Sequence, residues 1–317
     1  MMNPGLSILP DAFVERTRQI LNPTDFALWE ESLIHPVLTV RWTGKPERAG
    51  LGAEYLKEQG FTPESVEWCP EAWLLGSVSR RSVTSLKWVA EQTLFLQSLS
   101  SMAAVMAMGV EPGHDTLDLC AAPGAKTSLI HRRQAGRGIL VANELSRSRV
   151  MRMLALLKRL HISDIDILTG PGEMLGKSHE KCFDRVLADV PCSGEGRVHL
   201  SDAASWSRWR ESSINGLARR QTALLESACR TLRPGGEVIY ATCTMAPEEN
   251  ELVVDRVLRR ARTPMEVCEI DLPLEAGRPG LASWKSYEFL PELQRTVRVV
   301  AGFGMTPFYM ARLRRTE

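Results

Sequence analysis

The chain has 317 residues, of which 44% are hydrophobic and 24% are charged, and its formal net charge is +1. These values are ordinary for a globular protein, and they exclude a collagen-like, intrinsically disordered or strongly polycationic chain. No apolar run approaches the roughly 20 residues of a transmembrane helix, so a membrane protein is not expected. The first residues resemble neither a secretory signal nor a transit peptide.

Seven cysteines are spread along the chain without a C-x-x-C pair. An odd number without close pairs disfavours both a disulfide framework and a zinc site, and we expect no bound metal. This cysteine usage favours a reducing, cytoplasmic compartment. Each cysteine is then either a core residue or a nucleophile.

Residues 1–84 are predicted to form a small N-terminal α+β domain, and residues 85–317 a second, larger domain. In the first region the hydrophobic pattern predicts helices over 10–21, 25–33 and 52–59 and a strand over 37–42. The polar stretch 76–85 is predicted to be a linker or a basic loop.

The second region begins with a predicted long helix over 88–108 and continues with alternating strands and helices. Strands are predicted over 116–120, 138–143, 165–168, 185–189 and 237–242, and helices over 125–133, 148–160, 216–232 and 247–262. A terminal hairpin is predicted from strands near 296–300 and 308–313. Strands that alternate with helices predict an α/β fold with a mostly parallel, doubly wound sheet.

The first strand–turn–helix unit is the centre of this pattern. A strand over Thr116–Cys120 passes through Ala-Ala-Pro-Gly into a helix that starts at about Ala125. Such a turn presents free N–H groups at the carboxyl edge of the sheet, where open α/β sheets bind ligands. A Walker loop is disfavoured, because Leu119 stands where that loop needs its first glycine. An ordinary βα turn is the alternative.

Glu144 follows the second strand, about 20 residues after the first turn, where an acidic side chain commonly binds ribose hydroxyls. The alternative is an acid that merely favours the start of a helix. The turn lacks the G-x-G-x-x-G pattern of nicotinamide-binding proteins. An adenosyl ligand without a pyrophosphate, S-adenosylmethionine, therefore fits better.

Two cysteines follow neighbouring strands at this same edge. Cys192 comes three residues after Asp189, at the end of the fourth strand, and Cys243 comes directly after the fifth strand. A lone cysteine is most often buried and inert, but two at adjacent strand ends suggest a chemical role. Between them, the segment 194–209 interleaves tryptophans with arginines, which suits contact with single-stranded nucleic acid or ordinary packing.

Three motifs resemble the signature set of the NOL1/NOP2/Sun family of RNA cytosine-C5 methyltransferases, and most closely its bacterial 16S ribosomal RNA branch. They are Asp118-Leu-Cys-Ala-Ala-Pro-Gly-Ala-Lys126, Asp189-Val-Pro-Cys192-Ser-Gly-Glu-Gly, and Ala241-Thr-Cys243-Thr244 with Pro247-Glu-Glu-Asn250. The resemblance implies a Rossmann-like, class I S-adenosylmethionine-dependent methyltransferase with an N-terminal RNA-binding domain. It implies S-adenosylmethionine contacts from Cys120, Ala121, Ala122, Pro123, Gly124, Ala125, Lys126, Glu144, Arg149 and Asp189.

The resemblance also implies catalytic roles for Cys243, Cys192, Asp189 and Lys126. Cytosine C5 is a poor nucleophile, and a thiolate that adds at C6 activates it. In the family pattern that thiolate belongs to Cys243, Asp189 holds the cytosine N3, and Cys192 assists release of the product. The target base must leave its stack to reach such a pocket.

The implied partner is RNA, with ribosomal RNA favoured over transfer RNA, and the protein is expected to be a monomer. Two positions depart from the family pattern at the cofactor site. Ala125 replaces a usual glycine, and Gly170-Pro171-Gly172 stands where the family has an adenine-contacting aspartate after the third strand, so Pro171 cannot make that contact. Two alternatives stay open: the same chemistry on transfer RNA, and a non-catalytic ribosome assembly factor that kept the fold.

Overall fold

The computed structural model describes residues 4–35 and 37–317. The chain opens with two helices, α1 (Asp11–Ile20) and α2 (Pro23–Ile34). Helix α2 begins at Pro23 because the side chain of Asn22 accepts a hydrogen bond from the backbone N–H of Asp25, at 2.9 Å. The helices predicted over 10–21 and 25–33 are confirmed.

A small antiparallel sheet follows, in the strand order β2-β3-β1-β4. Its strands are β1 (Thr39–Trp42), β2 (Glu64–Ser65), β3 (Ala72–Leu74) and β4 (Leu94–Leu96). Helices α3 (Gly50–Glu58), α4 (Arg80–Thr84) and α5 (Lys87–Ala90) lie between these strands along the chain. The strand predicted over 37–42 and the helix predicted over 52–59 are confirmed, whereas the loop predicted over 76–85 contains α4.

The single helix predicted over 88–108 is wrong. The chain forms α5, β4 and then α6 (Leu99–Ala107). The first helix stops because Gln92 adopts a left-handed conformation with φ +62°. Leu96 then pairs with Val40 of β1, so apolar residues that suggested a helix face belong to a strand. Because β4 completes the small sheet, a domain boundary at residue 84 would fall inside this unit.

The main sheet has nine strands in the order β11-β14-β15-β9-β8-β5-β6-β7, with β10 paired to β15. The strands are β5 (Thr116–Asp118), β6 (Leu140–Glu144), β7 (Asp166–Thr169), β8 (Phe183–Asp189), β9 (Leu232–Thr242), β10 (Met265–Cys268), β11 (Gly277–Pro279), β14 (Val297–Val299) and β15 (Phe308–Arg315), and β12 (Ser283–Trp284) and β13 (Tyr287–Glu288) form a separate hairpin. Strands β5 to β9 are parallel, and β15 adds to β9 antiparallel. The mostly parallel sheet and the terminal hairpin of β14 and β15 are confirmed.

Helices cover both faces of this sheet. They are α6, whose range is given above, α7 (Ala125–Gln134), α8 (Arg147–Arg159), α9 (Leu175–Ser178), α10 (Glu211–Thr231) and α11 (Glu251–Arg260). Elsewhere along the chain, short 3-10 helices span Pro4–Ile8, Pro46–Arg48, Gly172–Met174, Glu195–Arg197, Ala203–Ser205 and Pro291–Arg295. Along β6, Leu140 and Ala142 pack on the side of α6, α7 and α8, whereas Val141 packs on the side of α10 and α11. The sheet is therefore doubly wound, and its parallel strands all end at one edge.

Candidate active site

A cleft of about 540 Å³ opens at the carboxyl edge of β5, β8 and β9. Its walls include nine of the residues selected from the sequence: Cys120, Ala122, Pro123, Ala125, Lys126, Arg149, Asp189, Cys192 and Cys243. Ala121 and Gly124 are buried within the turn beside the cleft, and Glu144 lies at the end of the neighbouring strand β6. The structure therefore brings both cysteines, the aspartate and the lysine into one cavity.

The turn between β5 and α7 forms one side of the cleft. Gly124 has φ +103° and precedes the first residue of α7, a conformation that favours glycine. The hydroxyl of Thr127 donates a 2.7 Å hydrogen bond to Asp118, which fixes α7 against the end of β5. Burial raises the pKa of the Asp118 carboxyl to about 7, although the Thr127 hydrogen bond opposes that shift.

Glu144 is 3% exposed and carries a carboxylate oxygen without a hydrogen bond. Its Oε1 accepts from the backbone N–H of Ser146 at 2.9 Å, whereas Oε2 lies 3.1 Å from Arg149 Nη1 without hydrogen-bond geometry. Arg149 in turn donates to the carbonyl of Ala122. A buried acceptor without a donor is costly, and a ligand hydroxyl would supply one. The residues present therefore fit a ribose-bearing ligand at this side of the cleft.

The two cysteine thiols lie 3.1 Å apart, Sγ to Sγ, on the opposite side of the cleft. The hydrogen bond from Cys192 lowers the pKa of Cys243, and nearby Arg197 and Lys126 act in the same direction. The same hydrogen bond, together with burial, raises the pKa of Cys192. These opposite shifts favour Cys243 over Cys192 as the thiol of the pair that ionises more readily.

Asp189 and Lys126 form an ion pair between these two sides, with Oδ2 and Nζ 2.7 Å apart. Burial alone would lower the pKa of Lys126, but the charge and hydrogen bond of Asp189 outweigh it and raise that pKa. Lys126 is therefore a fixed cation that orients the carboxylate. The Asp189 side chain is 27% exposed and faces the cleft, so it can contact a bound molecule.

The loops that carry the cysteines are fastened to each other. The backbone N–H of Gly196 donates to the carbonyl of Cys243 at 2.9 Å, and the hydroxyl of Thr244 donates to Glu195 at 2.8 Å. Gly196 is closely surrounded: a Cβ atom there would lie 2.0 Å from the carbonyl oxygen of Pro307. These contacts fix the distance between the two thiols.

The residues of segment 194–209 are divided between packing and the site. Trp209 is 8% exposed, packs against Phe13 with ring centroids 5.2 Å apart and ring planes tilted by 55°, and donates its indole N–H to Glu195. It is therefore a packing residue and does not offer its ring to nucleic acid. Arg197 of the same segment is exposed and lines the cleft.

Gln97 also lines the cleft, although its role is not apparent from the sequence. Its side-chain oxygen accepts a 2.9 Å hydrogen bond from the buried Arg41, which also reaches Ser128 of α7. Arg41 belongs to β1, so this contact joins the small sheet to the site. The position of Gln97 could not be inferred from the sequence, because the helix predicted over 88–108 included it, whereas the structure places it directly after β4.

Residues 4–35 and 37–317 contain neither a cluster of metal ligands nor a membrane-spanning helix. No group of three or more His, Cys, Asp or Glu side chains in these ranges is arranged to hold a metal ion. Within the same ranges, every helix is too short or too polar to cross a membrane.

Comparisons with known proteins agree with the geometry. The family model described as 16S rRNA methyltransferase RsmB/F matches residues 105–314. Ribosomal RNA small subunit methyltransferase F of Erwinia tasmaniensis is 31% identical over 99% of this chain, and the chain spans 65% of that relative's length. The chain spans 53–64% of the length of other relatives of that name.

Two solved structures share the fold. A methyltransferase homologue from Pyrococcus horikoshii aligns with 97% of this chain at a TM-score of 0.77 and 23% identity, and all of that protein is covered. NSun6 from the same organism, solved with SFG, aligns with 98% of this chain and all of its own at a TM-score of 0.79 and 18% identity. These likenesses confirm the class I methyltransferase fold. By its family match, the chain belongs to the RsmB/F group of the NOL1/NOP2/Sun methyltransferases.

Proposed function

We propose that this protein is an S-adenosylmethionine-dependent methyltransferase that modifies C5 of a cytosine in RNA, with ribosomal RNA as the favoured substrate. One observation carries the proposal: the Sγ atoms of Cys243 and Cys192 lie 3.1 Å apart, in a cleft that also contains Asp189. The relatives named ribosomal RNA small subunit methyltransferase F support the choice of RNA. The seven free cysteines fit a reducing, cytoplasmic compartment.

The cofactor side of the cleft would be formed by the turn from Cys120 to Lys126 together with Glu144, Arg149 and Asp189. Glu144 would accept hydrogen bonds from ribose hydroxyls through Oε2, which makes no hydrogen bond although it is ion-paired with Arg149, and Arg149 would hold the turn in place. S-adenosylmethionine, when bound, supplies an electrophilic methyl group. The NSun6 structure from Pyrococcus horikoshii was solved with SFG, an S-adenosylmethionine analogue, which supports this choice of cofactor.

On the pyrimidine side, the residues of the chain would activate the base. The Cys243 thiolate adds to C6 of cytosine, which places an electron pair on the C5–C4 unit and makes C5 nucleophilic. Asp189, oriented by Lys126 at 2.7 Å, would hold a proton at N3 as negative charge develops on the ring. These groups lie in one cavity, so no large movement is needed to assemble them.

Release would require the second thiol. After methylation, the proton at C5 must leave and the Cys243–C6 bond must break. Cys192 lies beside Cys243 with a raised pKa, so it holds its proton when Cys243 is ionised. We assign Cys192 the role of base in this elimination: after its own proton passes to solvent, its thiolate takes the C5 proton, the C5–C6 double bond re-forms, and Cys243 leaves C6 as a free thiolate.

The proposal is tested by methylation of defined RNAs in vitro. Purified protein is incubated with tritiated S-adenosylmethionine and either 16S ribosomal RNA transcripts, 30S subunits or transfer RNA, and products are mapped by bisulfite sequencing. We expect one 5-methylcytosine in ribosomal RNA. Methylation of transfer RNA alone would overturn the choice of substrate, and no S-adenosylmethionine binding by calorimetry would instead support a non-catalytic role.

A further inference from the structure

A second cavity, of about 370 Å³, lies directly beside the catalytic cleft. It is bounded by α2, by the segment after β8 and by the turn 302–307. Arg197 and Thr306 line both cavities, so the two are neighbours that share a wall. The chemistry described above places no ligand in this second cavity, although its size is in the range of ligand sites, roughly 300–1,000 Å³.

The lining of this second cavity is mixed: aliphatic and polar side chains, among them the carboxylates of Glu31 and Glu195, surround one exposed aromatic ring. Phe303 is 57% exposed and stands on a turn closed by two backbone hydrogen bonds between Gly302 and Met305, at 3.2 and 2.9 Å. Its backbone is left-handed, with φ +50°, which is unusual for a residue of this size. Trp29, also in the lining, is fully buried, and its indole N–H has no hydrogen-bond partner.

These features match a nucleobase. A base offers two flat faces for stacking on an aromatic ring and carries ring nitrogens or carbonyl oxygens that accept hydrogen bonds at its edge. Phe303, the exposed aromatic ring of the lining, would provide the stacking surface.

The wall between the cavities indicates which nucleotide of the strand would contribute this base. Arg197 is exposed and borders both cavities, and guanidinium groups bind phosphate oxygens well. A target nucleotide in the catalytic cleft is joined to its neighbour by one phosphodiester. That phosphate would lie near Arg197 if the neighbouring base entered the second cavity.

From this juxtaposition we infer that the cavity lined by Phe303 and Trp29 binds the nucleobase of a nucleotide adjacent to the target cytosine, on the same RNA strand. The inference rests on the proposed RNA methyltransferase function and adds a site that reads the sequence or flexibility around the target. The substrate would then have at least two unstacked bases when bound.

The test uses short single-stranded RNA. Fluorescence anisotropy is measured for the protein, with S-adenosylhomocysteine present, and seven-nucleotide RNAs with one central cytidine among uridines. Abasic nucleotides replace the two positions on each side, one at a time. The variants are Phe303→Ala, Phe303→Trp and, as a control at a similarly exposed apolar residue, Ile139→Ala, which is 52% exposed at the opposite edge of the sheet.

We expect Phe303→Ala to weaken binding of the intact RNA by roughly 5- to 150-fold, the range for loss of one base stacked on an aromatic ring. Phe303→Trp and Ile139→Ala should bind like the wild type. One abasic position should weaken wild-type binding by a similar factor, and there Phe303→Ala should cause no further loss. The comparison of intact and abasic RNAs on wild-type protein needs no variant, so its result does not depend on whether a variant folds.

Equal binding of the intact RNA by Phe303→Ala and wild type would overturn the inference, as would an undiminished effect of that variant on every abasic RNA. The parallel methylation assay on 16S ribosomal RNA separates the two levels of failure. A wild type that methylates no RNA rejects the proposed function. A wild type that methylates normally while Phe303→Ala loses nothing rejects only the second cavity as a base site.

Discussion

The two sides of the catalytic cleft are built differently. The proposed cofactor side is a turn of small residues, with the buried Glu144 at the end of the neighbouring strand. The pyrimidine side consists of reactive side chains on two loops, which buried Glu195 and Glu249 fasten together through Thr244 and the backbone of Ser193. Binding on the cofactor side therefore depends on the shape of the backbone, whereas chemistry on the pyrimidine side depends on individual side-chain atoms and the distances between them.

The largest effect is expected from Cys243→Ala on the pyrimidine side. Removal of the nucleophile should lower RNA methylation by at least about a thousandfold, because the proposed activation of C5 depends on the adduct that this thiolate forms. Tritium transfer to 16S ribosomal RNA measures the effect, and unchanged S-adenosylmethionine affinity by calorimetry is the control. Normal turnover by this variant would show that the roles of the two cysteines are wrongly assigned.

Cys192→Ala should preserve adduct formation but slow release. We expect a covalent RNA–protein band in denaturing gels and a turnover reduced by about 100-fold, in the range for loss of proton-transfer catalysis. Because Cys192 lowers the pKa of Cys243, its loss should also move iodoacetamide alkylation of Cys243 to higher pH. An unshifted alkylation profile would disprove that influence.

On the cofactor side, Glu144→Gln should weaken S-adenosylmethionine binding by about tenfold, since a neutral amide accepts ribose hydrogen bonds less strongly than a carboxylate. Isothermal titration calorimetry measures the change. Wild-type protein should bind 2′-deoxy S-adenosylhomocysteine more weakly than S-adenosylhomocysteine by a similar factor, because a ribose hydroxyl is missing. Glu144→Gln should not weaken binding of the deoxy ligand any further. Additive losses would place the ribose elsewhere.

A pair of single-methyl changes compares the two sides directly. Gly196→Ala adds a Cβ 2.0 Å from the Pro307 carbonyl oxygen and should lower the free energy of unfolding by about 1–3 kcal/mol through overpacking. Ala125→Gly, at the start of α7, should cost only about 0.5–1 kcal/mol. Urea denaturation measures both. Equal losses would contradict the contrast between a tight pyrimidine side and a tolerant cofactor side.

The smallest effect concerns Asp118, whose pKa burial raises to about 7. The folded protein binds this proton more tightly than the unfolded chain, so the contribution of Asp118 to stability falls as pH rises from about 4 to about 7. Asp118→Asn should therefore gain stability relative to wild type across that window and no further above it. Urea denaturation at several pH values tests this, and a pH-independent difference would refute it.

Much of the fold is predictable because periodicity reports local structure directly. The alternating strands and helices after residue 115, and the convergence of Cys192 and Cys243, follow from where parallel strands end. The helix predicted over 88–108 failed because tertiary pairing of β4 with β1 overrode a helix-like apolar pattern. No glycine or proline marks the break at Gln92.

The site was less completely predictable. Arg197 and Gln97 reach the cleft only because loop and sheet packing carry them there, and Trp209, which sequence composition suggested for RNA contact, instead packs against Phe13. Neither fact is encoded in local spacing. The four strands β10 to β13 also escaped prediction, because they are only two to four residues long.

The central claim is that Cys243, and not its neighbour 3.1 Å away, attacks the target base. The most direct measurement traps the enzyme on 16S ribosomal RNA that contains 5-fluorocytidine, whose fluorine cannot leave as the proton does. Mass spectrometry of the nuclease- and trypsin-digested adduct then identifies the cross-linked peptide. We predict a nucleotide attached to Cys243; attachment to Cys192, or to neither cysteine, would contradict the mechanism.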